Sequence, residues 1–234
     1  MTSAATAGDD AGPPRAAPGS PRRGVIFDLD GTLLDTWALH RACLRHAVTA
    51  VGLPAPSAAR VLSAHRATDL ATVQALVGPD RVDQAMSAYR RELHRRLEVG
   101  EGTSNPAAGH TVARLLGAGL TVGICTGRSR TESEALLRTG GIDVAVTVAR
   151  EDTKRPKPAP EGLWLALTRL GLTPPDAVYV GDTVDDARQG EAAGVRTVLV
   201  GPASYQRAAG RGPRVEHVSQ LAELVPLLLG EESR

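Results

Sequence analysis

Short apolar runs that stop at an acidic, hydroxyl-bearing or glycine-rich loop recur along this chain, with helical patterns between them. Gly24-Val25-Ile26-Phe27 stops at Asp28, and the run from Leu120 to Cys125 stops at Thr126. Val144 to Val148, Ala177 to Val180 and Arg196 to Val200 complete the series. Runs this short and this uniformly apolar suit strands covered on both faces, as in a parallel sheet. Helices are expected from about Ala107 to Leu116, from a Thr131/Glu134 capping box to Gly140-Gly141, from Pro160 to Leu170, and around Asp186 to Ala193. Strand alternating with helix implies an α/β fold, a doubly wound, Rossmann-like parallel sheet of five strands with helices on both faces.

One segment breaks the alternation. Between Trp37 and Val99 no strand pattern occurs. Leu39, Cys43, Ala47, Val48 and Val51 share one helical face, and Val82, Met86, Tyr89, Leu93 and Leu97 share another. Gly52-Leu53-Pro54 and Gly78-Pro79 punctuate the stretch into several helices. It reads as an all-helical cap domain, 37–100, inserted into a core domain made of 23–36 and 101–234, with Gly100-Glu101-Gly102-Thr103 as one hinge. Residues 1–22, rich in Ala, Gly, Pro and Ser, read as a disordered tail without the apolar segment of a secretory signal. An amphipathic helix is expected at roughly Ser219 to Leu229.

Composition narrows the function classes. A formal net charge of +1 speaks against a nucleic-acid or membrane-surface partner. No apolar run approaches the ~20 residues that span a bilayer. Cys43 and Cys125 lie far apart with no CxxC spacing, which fits two reduced core thiols in a cytoplasmic protein, monomer or homodimer. Lys154 and Lys157 are the only lysines among 27 Lys and Arg residues, so a lysine here is unusually informative.

In doubly wound sheets chemistry sits at the carboxyl ends of the strands. Those ends carry Asp28-Leu29-Asp30-Gly31-Thr32, Thr126-Gly127-Arg128 and Gly181-Asp182-Thr183-Val184-Asp185-Asp186, with Lys157 in a loop between the third and fourth strands. Carboxylates crowded into one crevice need a cation, and oxygen-only ligation selects a hard ion, Mg²⁺ first. A phosphate would be held by that metal, by Lys157, by the Thr126 hydroxyl and by backbone N–H groups near Gly31 and Gly127. Phosphoryl transfer needs an in-line nucleophile, which a carboxylate supplies, and a second carboxyl to shuttle the leaving-group proton.

The run from Phe27 to Asp35 resembles the signature of the haloacid dehalogenase superfamily, DxDGTxxD. Thr126 is similar to its second motif, Lys157 to the lysine of its KPxP motif, and residues 181–186 to GDxxxD, all in the family's order. The helical insertion is similar to a cap of the first subtype, as in phosphoglycolate phosphatase and β-phosphoglucomutase-like members. The resemblance implies an aspartyl-phosphate phosphatase of a small phosphorylated metabolite. Asp28 would be nucleophile and metal ligand, and Asp30 the acid/base, lending its carbonyl to Mg²⁺. Thr126 and Lys157 would bind the phosphoryl group, and Asp182 and Asp186 would hold the metal. His65 and Arg66, in a break between cap helices, are expected to contact the leaving group. Asp35 is expected to cap the next helix or support the loop, and Lys154 to lie at the surface. A phosphomutase on the same core, and a non-catalytic binding module, are the competing readings.

Overall fold

The computed structural model describes residues 23–66, 68–101, 105–201, 214–216 and 218–221. The expected tail at 1–22, most of the hinge at 100–103 and most of the helix expected from Ser219 to Leu229 lie outside those residues.

The first strand, β1 (Gly24–Phe27), is followed by four helices, α1 (Trp37–Ala50), α2 (Ala58–Ala64), α3 (Asp69–Val77) and α4 (Val82–Glu98). The alternation then begins: α5 (Pro106–Gly117), β2 (Thr121–Cys125), α6 (Arg130–Thr139), β3 (Val146–Val148), α7 (Glu161–Leu170), β4 (Ala177–Gly181), α8 (Val184–Ala193) and β5 (Arg196–Val200). The five expected strands are all present and all parallel, with a two-residue edge strand, β6 (Arg214–Val215), added beside β5.

Strand order is β3-β2-β1-β4-β5-β6, so the chain moves away from β1 in both directions. Phe27 at the end of β1 is level with Ile124 of β2 and with Val180 of β4. Each strand therefore releases its loop from nearly the same rung, and a crevice opens where the winding reverses. Alternation of side chains splits the sheet into two packed faces. Val25, Phe27, Val122, Ile124, Val178 and Val180 pack on the side that continues into the helical insert, whereas Ile26, Cys125 and Tyr179 pack against α7 and the chain near α8.

The all-helical insert is built around α1 and α4, with α3 beside them. Leu39, Cys43, Leu44 and Ala47 of α1 and Met86, Tyr89 and Leu93 of α4 are buried in one apolar cluster with β1 and β2. Two details depart from the sequence reading. The capping box of α6 is formed by Ser129 and Glu132, not Thr131 and Glu134, because the chain turns into the helix directly after Arg128. Helix α8 starts at Val184 rather than near Asp186: Thr183 is its N-cap, and Asp186 is the capping-box partner one turn in.

Candidate active site

The carboxyl ends of β1, β2 and β4 bring Asp28, Asp30, Thr126, Asp182 and Asp186 to one end of the sheet, and the loop before α7 adds Lys157. Asp28 is anchored by its own N–H, which donates to Val180 O across the sheet at 2.7 Å. Lys157 Nζ donates to Asp28 Oδ1 and, at 2.8 Å, to Asp186 Oδ1, and lies 5.5 Å from the centre of the Tyr179 ring. The ammonium is buried between two carboxylates, which hold its pKa well above the usual lysine value against the opposing effect of burial.

One oxygen from each of Asp28, Asp182 and Asp186 lies within 4.8 Å of the others. Burial is the main reason that Asp28 rises to about 7, with Lys157 opposing and Asp186 and Asp30 adding to the rise. Burial and then the charges of Asp28 and Asp186 lift Asp182 to about 8. Asp182 Oδ1 is buried and has no hydrogen-bond partner. Asp186 differs. Its Oδ1 accepts from Lys157 and from Tyr179 OH at 2.6 Å, and its Oδ2 accepts from the Thr183 N–H and hydroxyl and from Asp182 N. These donors keep its pKa low despite burial. The donor set is oxygen-only, crowded with negative charge and left with an orphan acceptor. It fits a hard divalent cation held by Asp28 and Asp182, with Asp186 as a hydrogen-bonded support close by.

Glycine is required at one point of the loop after β1. Gly31 has φ +76°, and a Cβ there would meet Asp182 Oδ2 at 2.2 Å. Its N–H donates to Leu34 O at 2.8 Å, so it closes the loop and is not directed at a phosphate. Gly127 and Thr126 line a cavity with Lys157, and Thr126 Oγ1 accepts from Arg128 N at 3.2 Å.

Arg128 is the participant that the sequence named without giving it a role. Only 4% exposed, it grips Asp30 with both arms of its guanidinium, Nε to Oδ2 at 2.7 Å and Nη2 to Oδ1 at 2.8 Å. Its remaining nitrogen donates to Asp69 at 3.0 Å and to Tyr89 OH at 3.1 Å, both on the helical insert. His40 Nδ1 stands 2.8 Å from the same hydroxyl and 3.3 Å from Asp69. Burial lowers the His40 pKa, so the ring is neutral near pH 7. With Thr36 also donating to Asp30, the acid/base candidate is held as a carboxylate, its pKa lowered by Arg128 against burial. In a chain so rich in arginine, neither composition nor spacing singles Arg128 out.

The remaining sequence candidates lie farther out. His65 is exposed and stacks edge-on against Trp37 and His40, with ring centres 5.6 and 5.8 Å away. Arg66 is exposed and folds back onto the carbonyls of Ser63 and His65. Neither lines the cavity beside Lys157, where the insert contributes Thr68 and Leu70. Asp35 is exposed and accepts from Trp37 N at 3.4 Å, a weak cap for α1. Lys154 is exposed as expected, and it also lines that cavity.

A doubly wound sheet carrying a carboxylate, a lysine and an acidic cluster at its switch point, beneath a helical insert, defines a hydrolase of the phosphatase class. Known proteins agree. A family model described as haloacid dehalogenase-like hydrolase matches residues 25–200. The chain is 31% identical over 203 residues to a phosphoglycolate phosphatase of Salmonella typhi, covering 75% of this chain and 80% of that one. It is 32% identical over 180 residues to the pyrophosphatase PpaX of Bacillus velezensis, covering 75% and 82%. A haloacid dehalogenase-like hydrolase from Bacteroides fragilis superposes with a TM-score of 0.72 at 26% identity, covering 86% and 99%. The chain belongs to the haloacid dehalogenase-like hydrolase family, and within it to the phosphatases.

Proposed function

We propose that this chain is a Mg²⁺-dependent phosphatase that hydrolyses a small phosphorylated metabolite through an aspartyl-phosphate on Asp28. The observation that carries the reading is the convergence of Asp28 and the orphaned Asp182 oxygen, at the carboxyl ends of neighbouring strands, with Lys157 from the loop before α7. The relatives named above, which act on phosphoglycolate and pyrophosphate, support a small phosphorylated substrate.

Asp28 and Asp182 would hold the metal, the Asp30 carbonyl would complete the set on the core side, and Asp186 would steady it directly or through water. The metal supplies charge neutralisation for the phosphoryl oxygens. Lys157 adds a second positive charge from a water-poor position, where such a charge acts strongly. The Thr126 hydroxyl and the Gly127 backbone orient the phosphoryl group. An Asp28 carboxylate oxygen attacks phosphorus, the bond to the leaving oxygen breaks, and Asp30 delivers a proton to that oxygen. Water then attacks the Asp28 acyl phosphate, Asp30 takes its proton back, and inorganic phosphate leaves. Arg128 occupies both Asp30 oxygens and keeps Asp30 ionised, so the pair must part and Asp30 take up a proton from solvent before it can serve a leaving group.

We assign closure over the site to the insert at 37–100, and on closure His65, more than the self-bonded Arg66, would be the side chain of the loop after α2 brought toward the substrate. Buried free thiols at Cys43 and Cys125 support a cytoplasmic setting. No helix among the described residues is long and apolar enough to cross a membrane.

The test is Asp28→Asn, which keeps the shape and removes the nucleophile. Turnover of p-nitrophenyl phosphate should fall to background while the fold, read by circular dichroism, persists. Retention of more than a few per cent of wild-type turnover would exclude the covalent route.

A further inference from the structure

The cavity beside Thr126 and Lys157 has a volume of ≈ 250 Å³ and walls of unequal character. On the insert side stand Thr68 and Leu70, which are uncharged. On the core side stand Arg150, Lys154, Arg155 and Lys157, and among the described residues that line the cavity none is acidic. Both of the chain's lysines therefore face this one space.

Lys157 is committed to Asp28 and Asp186 at the phosphoryl end. The other three cations take no part in holding the transferring group. Arg150 and Arg155 have carboxylate neighbours outside the lining, Glu151 at 3.0 Å and Glu161. Pairs of this exposed kind exchange partners at little cost. The nearby Asp152 is turned away, bonded to Arg130, to Arg169 and to the backbone N–H of Ala149. That last contact, with Arg150 N donating to Arg128 O at 2.8 Å, fixes the loop bearing Arg150 against the loop bearing Thr126. The basic wall is thus placed before any ligand arrives. A hydrolase whose substrate ended in a neutral leaving group would have no use for it, because the phosphoryl charge is met elsewhere.

Resting on the phosphatase reading, we propose that the substrate carries a second anionic group on its leaving portion, a carboxylate or a further phosphoryl group, received by Arg150 and Lys154 with Arg155 at the rim. The size of the cavity limits that portion to a few carbon atoms, lying against Leu70.

Two matched pairs of compounds test this with the Mg²⁺-loaded enzyme. Phosphoglycolate against 2-hydroxyethyl phosphate asks for a carboxylate, and inorganic diphosphate against methyl phosphate asks for a second phosphoryl group. The expected result is a kcat/KM at least tenfold higher for the anionic member of one pair. Arg150→Gln with Lys154→Gln should shrink that preference at least fivefold, mainly through KM. Ratios near one in both pairs, or a preference that survives the double substitution, would overturn the proposal. Calorimetric binding of the same four compounds to Mg²⁺-loaded Asp28→Asn keeps the two readings apart. A chain that hydrolyses none of them yet binds an anionic member at least tenfold more tightly would sink the phosphatase reading and support this one. Hydrolysis of both members of each pair at equal rates would do the reverse.

Discussion

Replacing Asp182 with Asn should make the metal-free protein more stable while removing its activity. Asp28, Asp182 and Asp186 place oxygens within 4.8 Å of one another. Two unit charges at that separation repel by roughly 3 kcal/mol at an effective dielectric of about 20. Lys157 lies against two of the three carboxylates and offsets part of this. A net gain of about 2 kcal/mol is therefore expected from Asn, which keeps the side-chain volume and drops the charge. For a chain of this size that corresponds to roughly 4–8 °C in Tm. The pH dependence carries the sign. Asp28 and Asp182 have folded-state values of about 7 and about 8, raised from 3.8. Their protonated forms favour the folded state, so stability is fully present below pH ~4 and is lost as pH rises through 7 and 8. The advantage of Asp182→Asn should be small at pH 5 and largest above pH 8. With saturating Mg²⁺ the order should reverse, since wild type gains about 2.7 kcal/mol at a hundredfold excess over Kd and the variant gains little. The assay is thermal unfolding in chelator and in Mg²⁺ across pH 5–9. Equal Tm values at pH 8 in chelator, or a gap that does not change with pH, would refute the electrostatic account of the cluster.

Chelation should abolish hydrolysis and Mg²⁺ restore it, whereas Ca²⁺ should bind without supporting comparable turnover, because its looser, higher coordination misplaces nucleophile and phosphate; full activity in excess chelator would exclude a metal role. Arg128→Ala should destabilise by about 2–3 kcal/mol in urea titrations, because it leaves the partly buried Asp30 and Asp69 without their partner, and Arg128→Lys should recover only part of the loss because it lacks the fork. His65→Ala should lower kcat/KM for the preferred substrate by about tenfold, a loss of ~1.4 kcal/mol, and Arg66→Ala by much less. Equal losses for the two would contradict the placement of Arg66 on its own loop.

What could be read from the sequence was the part that depends on local pattern. Apolar runs gave the five strands, their ends named Asp28, Thr126 and Asp182, and the missing strand pattern between Trp37 and Val99 marked the insert. What could not be read depends on contacts between distant residues. Arg128 lies 98 positions from Asp30 and 59 from Asp69, and no periodicity encodes a guanidinium that bridges two parts of the fold. The register of α6 slipped for a related reason. Ser129/Glu132 and Thr131/Glu134 satisfy the same capping pattern, and only the path of the chain after β2 selects the first. Gly31, expected to offer its N–H to a phosphate, donates it to Leu34 O, and its missing side chain makes room for Asp182, a close approach that no local pattern encodes.

The shared level of Phe27, Ile124 and Val180 makes the sheet a ruler for the chemistry. Each added strand residue advances the chain by about 3.3 Å and turns the next side chain to the opposite face. One extra residue inside β4 would carry Asp182 past Asp28 and point it away from the acidic cluster. Extra residues in the connection between α1 and α2 would instead lie away from Asp69 and Tyr89 and leave the strand ends at their level. Tolerance to length change in this enzyme should therefore be split sharply by address: generous in the connections between the insert's helices that lie away from Asp69 and Tyr89, close to nil within β1, β2 and β4. A library of random single-codon insertions, sorted for hydrolysis, would show that division as a map of the sheet.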